Sequence, residues 1–451
     1  MTENTCKSIP IAAFVLLALS CATNPKKYRE VDLAVANQDY RTGIEVIVKG
    51  QEKNNPVYPQ KNAIMLYLDK GLLEHYAGNY TGSSNDLQNA ERLIEEAYTK
   101  SITADFASYI LNDNTKEYPG EDFEDIYINI FNALNYYNRG DLEGALVEIR
   151  KLSISSGKLD MLSRKYEDAS AGFGEKALEQ FKRSGFNFTE SLPRGLPVNF
   201  SNSALARYLG ALFYLAEGNE DGARIEFEAL QNAFDSNEKI YRNPLPQAAL
   251  DVQSVPQEKA RLNVIAFTGL SPVKEKGFYP QYWFFMQSPV LQVPVFKLPK
   301  LVDRPSIIDR IEVIAGENKF DLELLEDMGA VVKETFNARF SNVFFKTYIR
   351  VFLKYAAADI SAAIANERDS GAALLIALGA RAALDASEDA DIRMSRYLPD
   401  KAYIGGVNLD SGTYDVTVKF YSGMKLAALA EYKNVIVKTG GLNLIESVSL
   451  K

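Results

Sequence analysis

Four short turns built to one pattern constrain this chain more than any other feature. They are Asn37-Gln38-Asp39-Tyr40, Gly78-Asn79-Tyr80, Arg139-Gly140-Asp141-Leu142 and Glu217-Gly218-Asn219-Glu220. Each follows an apolar stretch and precedes an amphipathic one, which predicts helix pairs from Lys26 to about Asp235. One such pair cannot bury its apolar face alone, so pairs in series must stack on one another. The turns stand roughly 40, 60 and 80 residues apart. Extra helices are therefore expected between them, for example Lys158 to Arg183, followed by a Gly-, Pro- and Asn-rich loop from Ser184 to Ser203.

The small residues around these turns fall where two helices would cross. They are Gly71 and Ala90 at the second turn, Ala133 and Ala145 with Tyr136 at the third, and Ala211 and Ala223 with Tyr214 and Phe227 at the fourth. The first turn offers Gly43 alone. This spacing resembles the tetratricopeptide repeat, although the separations exceed that repeat's period of about 34 residues. An irregular α-solenoid without a formal repeat is the alternative. In the resembling proteins the inner face of the first helix grips peptides. Here that face would be Met65, Leu68, Leu72 and His75, then Tyr127, Ile130, Leu134 and Tyr137, then Leu205, Tyr208, Leu212 and Leu215. It is apolar and aromatic, with no Lys or Asn to clamp a carboxylate. Two expectations stay open: inserted helices cover it, or it is a groove for a hydrophobic peptide in which Tyr127, Tyr137 and Tyr208 would touch the partner.

After Pro256 the texture turns to β. Arg261 to Phe267 reads as a strand, followed by Val290 to Phe296 and Ile311 to Ile314. A helical block is expected from about 322 to 385, including Phe344 to Ala365 and a buried helix from Ala372 to Leu384. Strands return at Ala402-Tyr403-Ile404, in the alternating run Thr413 to Tyr421, at Asn434 to Lys438, and from Leu442 to Leu450, a pattern that suits a meander. The fold class expected is α+β: an irregular tetratricopeptide-like α-solenoid over 21–255, then a β-rich, sandwich-like domain over 256–451 with inserted helices.

The N-terminus adds an address. The apolar run Ile11 to Ser20 follows Lys7, ends in small residues and is too short to span a bilayer, which needs about 20 apolar residues. It predicts a signal peptide over 1–20 that is removed before Cys21. Ala18-Leu19-Ser20-Cys21 resembles the lipobox of bacterial lipoproteins, which implies that Cys21 is acylated and becomes the mature N-terminus. The other cysteine, Cys6, leaves with the signal, so no disulfide is expected even in an oxidising periplasm. A net charge of −9 repels nucleic acid and anionic headgroups, so membrane attachment must come from lipid. The expected place is the periplasmic face of a bacterial membrane, the outer membrane in particular.

A second resemblance covers most of the mature chain. It rests on Leu68-Asp69-Lys70-Gly71-Leu72-Leu73-Glu74-His75-Tyr76-Ala77-Gly78, Gly269-Leu270-Ser271-Pro272-Val273-Lys274, Ala390 to Pro399, and Ser411 to Val418. These stretches look like a family of uncharacterised bacterial envelope lipoproteins with tetratricopeptide-like N-terminal halves. The chain departs from that family at Ser395, where Trp is usual. The resemblance implies an envelope protein and brings no activity.

The residue inventory narrows chemistry further. His75 is the one histidine, so Ser-His-Asp catalysis would have to use it, and a structural role is expected instead. No Cys and no second His can join it in a zinc site. Phosphate-binding, nucleophile-elbow and calcium-loop motifs are absent from the sequence. Two acidic clusters, Glu323 with Glu326 and Asp327, and Glu388 with Asp389 and Asp391, are expected to be solvated surface, with a carboxylate-pair glycan hydrolase as the rival. Phe278 to Phe285 gathers Tyr279, Tyr282 and the single Trp283; it would be a core segment or a glycan- or peptide-binding site. The function expected is thus a lipid-anchored periplasmic adaptor, not an enzyme and without a cofactor. It would bind other envelope proteins, with peptidoglycan or another glycan as the rival ligand.

Overall fold

All four turns adopt one hydrogen-bonding geometry. The computed structural model describes residues 27–53, 55–102, 116–152, 200, 202–280, 295–340 and 389–451, with 158, 343 and 347. In each turn one residue takes a positive φ: Gln38 at 60°, Gly78 at 78°, Gly140 at 79° and Gly218 at 78°. Its N–H bonds the carbonyl three residues back, and the next N–H reaches five back, as in Asn79 to Glu74 and Asn219 to Tyr214. These bonds satisfy carbonyls that a helix end leaves open. The side chain of Asp39, Asn79, Asp141 or Asn219 then accepts from the N–H three residues on and starts the next helix. Glycine at three of the four sites avoids the Cβ clash of the left-handed region.

The helices so paired are α1 (Arg29–Ala36) with α2 (Tyr40–Glu52), α3 (Ala63–Tyr76) with α4 (Tyr80–Ile102), α5 (Asp122–Asn138) with α6 (Leu142–Lys151), and α7 (Ala204–Glu217) with α8 (Glu220–Ser236). Small residues let the partners approach. A Cβ on Gly71 would lie 2.9 Å from the Leu87 side chain, and Ala90, Ala133, Ala145, Ala211 and Ala223 are all buried. Ala223→Leu is accordingly expected to overpack the α7–α8 crossing and cost about 1–3 kcal/mol. An unchanged thermal midpoint would refute that placement.

The strands begin after the short helix α9 (Gln247–Asp251). They are β1 (Ala260–Thr268), β2 (Leu270–Pro280), β3 (Val295–Arg304), β4 (Arg310–Ala315), β5 (Asn318–Asp321), β6 (Glu323–Asp327), β7 (Lys401–Leu409), β8 (Gly412–Ser422), β9 (Lys425–Val437) and β10 (Leu444–Ser449). One sheet has the order β10-β1-β7-β6, a second β5-β4-β8-β9, and β2 pairs with β3 alone. Every residue of β1 is buried. Its Ile265 and Phe267 join an apolar cluster with the helices, while Leu262, Val264 and Ala266 join another with the β4–β8–β9 sheet. The β1 sheet is thus covered on both faces, and the chain is mixed α/β with helices in the N-terminal half and sheets in the C-terminal part.

Three expectations are corrected. The helical block does not begin at 322, because Glu323–Asp327 is strand β6 paired with β7; helix starts at 328 and is described to 340. The last strands do not form one meander. β8 and β9 pair with each other, whereas β10 crosses to the other sheet and runs parallel to β1. The strand read at Asn434 to Lys438 is the end of a 13-residue strand that starts at Lys425. The segments expected at 344–365, apart from residue 347, and at 372–384 and 159–183 lie outside the described residues.

Candidate functional site

The inner face of the helical array is where the chain concentrates its buried polar chemistry. Met65, Leu68, Leu72 and His75 of α3, Tyr127, Ile130 and Leu134 of α5, and Leu205, Tyr208 and Leu212 of α7 are all buried; Tyr137 is half-buried and Leu215 exposed. Among the described residues this face is covered by the C-terminal part of the chain, and the inserted helix expected over Lys158 to Arg183 lies, apart from Lys158, outside them. Phe267 of β1 packs on Phe131 at 5.2 Å between ring centres, and Tyr137 Oη accepts from Leu444 N at 3.0 Å. Among the described residues the rest of the cover is a strap without regular secondary structure, residues 389–400, leading into β7.

The helices hold this strap much as a groove holds an extended peptide, through its main chain. Asp69 accepts from Tyr58 Oη at 2.6 Å, from Ser395 Oγ at 2.7 Å and from Arg396 N at 2.7 Å. Glu124 accepts from Ser395 N, Glu121 N and Tyr118 Oη, and Tyr76 Oη donates to Tyr397 O. Arg396 pairs with Asp32 and lies over the Tyr28 ring, while Tyr397 Oη also donates to Asp32. Arg393, 1% exposed, grips Asp391 with two nitrogens at 2.8 Å and donates to Lys116 O. Burial alone would raise the Asp391 carboxyl; the Arg393 hydrogen bonds and charge win and hold it below the ordinary carboxylate value. Burial, then the Glu121 charge, pushes Glu124 up to about 7 against its three donors.

Glu326 of β6 is the second concentration. It is 0% exposed and receives Tyr127 Oη at 2.6 Å, Tyr241 Oη at 2.9 Å, Ser203 Oγ at 2.9 Å and Leu205 N at 3.1 Å. Leu205 is in the first turn of α7, where the helix dipole favours a carboxylate. Burial nevertheless raises its proton affinity, and the four donors only partly offset that. The expectation of a solvated acidic cluster is thus corrected for Glu326, and Glu323 caps α9 through Gln247 N and Ala248 N. In the other cluster Asp389 pairs with Lys276 and Asp391 with Arg393; Glu388 lies outside the described residues.

A cavity of about 10 Å³ between Leu72, Leu87, Glu124, Ser395 and Leu398 has room for about one water. The arrangement clamps the strap to the helices. Among the described residues, no group of three or more His, Cys, Asp or Glu could hold a metal ion, and no helix is long and apolar enough to cross a membrane.

The residues singled out from sequence divide sharply. Tyr127 donates to Glu326, Tyr208 is buried, and Tyr137 is bound to Leu444, so these three serve contacts within the chain rather than an open groove. Tyr279 pairs with Phe296 in the β2–β3 ladder. Cys21, Tyr282 and Trp283 lie outside the described residues. Sequence reasoning missed Asp32, Asp69, Glu326, Arg393 and Glu446 as organisers of the joint. The available signal was a charge set among apolar residues, as in Leu66-Tyr67-Leu68-Asp69 and Leu324-Leu325-Glu326. Comparison with protein-family models, curated proteins and solved structures finds no match to this chain.

Proposed function

We propose that this chain is a lipid-anchored scaffold of the bacterial envelope that binds other envelope proteins through its outer surface. Its anchor would be acylated Cys21, at the end of the Ile11–Ser20 run. The finer architecture belongs to the same reading: a tetratricopeptide-like array, supported by four turns of one geometry, and a β-sandwich, supported by the apolar cluster that the two four-stranded sheets share. The contacts of the inner face with the chain's own strap and sheet support docking of partners on the outer surface.

The observation that carries the adaptor role is the edge strand β9. Leu429 is 51% exposed, Ile436 61%, and Met424, in the β8–β9 turn, 99%. An edge of this length is a place where another chain can add a strand. A photo-crosslinking residue at Leu429 is expected to capture one protein in the intact envelope at a fixed ratio, and one at Arg224 on α8 to capture none. Equal or indiscriminate capture at both sites would sink the adaptor reading. The anchor is tested separately: Cys21→Ser is expected to move the protein from the membrane to the soluble fraction. A mature N-terminus other than modified Cys21, read by mass spectrometry, would exclude lipidation there.

A further inference from the structure

The chain's one histidine has acceptors from two different elements against its two ring nitrogens. His75 Nδ1 lies 2.7 Å from Asn135 Oδ1 on α5, and Nε2 lies 2.5 Å from Glu446 Oε1 on β10. Asn135 Nδ2 donates to Ser83 Oγ at 2.8 Å, which sets its Oδ1 toward the ring. In this arrangement an amide oxygen and a carboxylate face the ring and both accept, so both ring nitrogens carry hydrogen, and that species is the imidazolium. A neutral ring would set a lone pair against an oxygen in a site where the His75 side chain is 1% exposed. No solvent is there to relieve the mismatch.

We propose that His75 and Glu446 form a proton-held latch that clamps the C-terminal strand β10 onto the helical array, closed in mild acid and loosened as the ring loses its proton. The groups around the ring are Tyr76 on its own helix, Tyr80 of α4, and Phe131 of α5, all in edge contact. On α5, Asn138 donates to the second Glu446 oxygen. From β9, Tyr432 Oη donates to Glu446 O. The neighbouring Glu74 turns to Lys70 and Asn79 instead. Burial disfavours the charged ring, but the Glu446 charge and the two hydrogen bonds outweigh it, so the folded ring holds its proton above the ordinary histidine value. Folding then gains from this pair in full below about pH 6.5 and loses the gain as pH rises through the folded value.

The ends of β10 are tied independently, by Tyr137 at Leu444 and by Gln38 Nε2 on Ser449 Oγ, so the latch governs the middle of the strand. The single histidine makes the test direct. Ring ¹⁵N and ¹³C spectra of the untagged mature protein are expected to show imidazolium at pH 7. Amide protection from Ile445 to Val448, corrected for intrinsic exchange, is expected to fall as the ring titrates, while protection in β4 stays level. Glu446→Gln should flatten that dependence. A neutral ring at pH 7 would overturn the proposal, and so would β10 protection that ignores the ring's titration; both are read on the wild type even where the variant does not fold.

Discussion

Replacing Glu326 by alanine is expected to lower stability by about 3–5 kcal/mol, because four donors lose their acceptor at once and a cavity opens in the joint. Tyr127 Oη, Tyr241 Oη, Ser203 Oγ and Leu205 N all converge on that carboxyl, and none has water to turn to. Glu326→Gln keeps one oxygen for Leu205 N and Ser203 and places an amide group where Tyr127 can rotate to accept. It is expected to cost about 1 kcal/mol. Urea unfolding of the two variants decides the matter. A loss below about 1 kcal/mol for alanine would show that the cluster contributes little to holding β6 on α7. The raised proton affinity of Glu326 adds a sign. Its contribution is full below the unfolded carboxylate value and shrinks as pH rises through the folded one, so wild type and Glu326→Gln should converge toward alkaline pH.

Arg393→Met is expected to cost about 1.5–3 kcal/mol, since it strips the partly buried Asp391 carboxylate of its guanidinium partner. Here the pH sign is opposite. Arg393 holds Asp391 below its ordinary value against burial, so the pair stabilises fully above about pH 4 and loses that contribution in stronger acid. The double change Arg393→Met with Asp391→Leu removes both charges and should recover most of the loss, as seen when buried ion pairs give way to apolar groups of similar volume. A double variant no more stable than Arg393→Met would mean that the damage comes from the lost Lys116 O bond and the Tyr118 contact instead.

Much of the helical half was legible because its rules are local. A residue able to take positive φ, then an Asx cap, then an amphipathic run encode a turn within a few residues, and all four turns formed where that signal stood. The β1 run from Leu262 to Phe267 was legible for a related reason: continuous apolar sequence describes a strand covered on both faces. The acidic cluster at 323–327 misled because local composition cannot say which of three neighbouring carboxyls turns inward. Pairing with β7 decides it: β6 is irregular between Leu324 and Glu326, and Glu326 turns to the helices while Glu323 caps α9.

Legible in the residues alone were the helix pairs, the switch to strands after Pro256, the single histidine, and the expectation of an anchor at Cys21. Contacts distant in sequence bring residues 389–400, β1 and β10 onto the inner face of the helices among the described residues. The physical reason is range. A cap or a turn is settled by neighbours a few positions away, whereas Asp69 meets Ser395, and His75 meets Glu446, across more than three hundred residues. No periodicity in either segment records its partner; the match exists only once burial has stripped both of water and each must find the other.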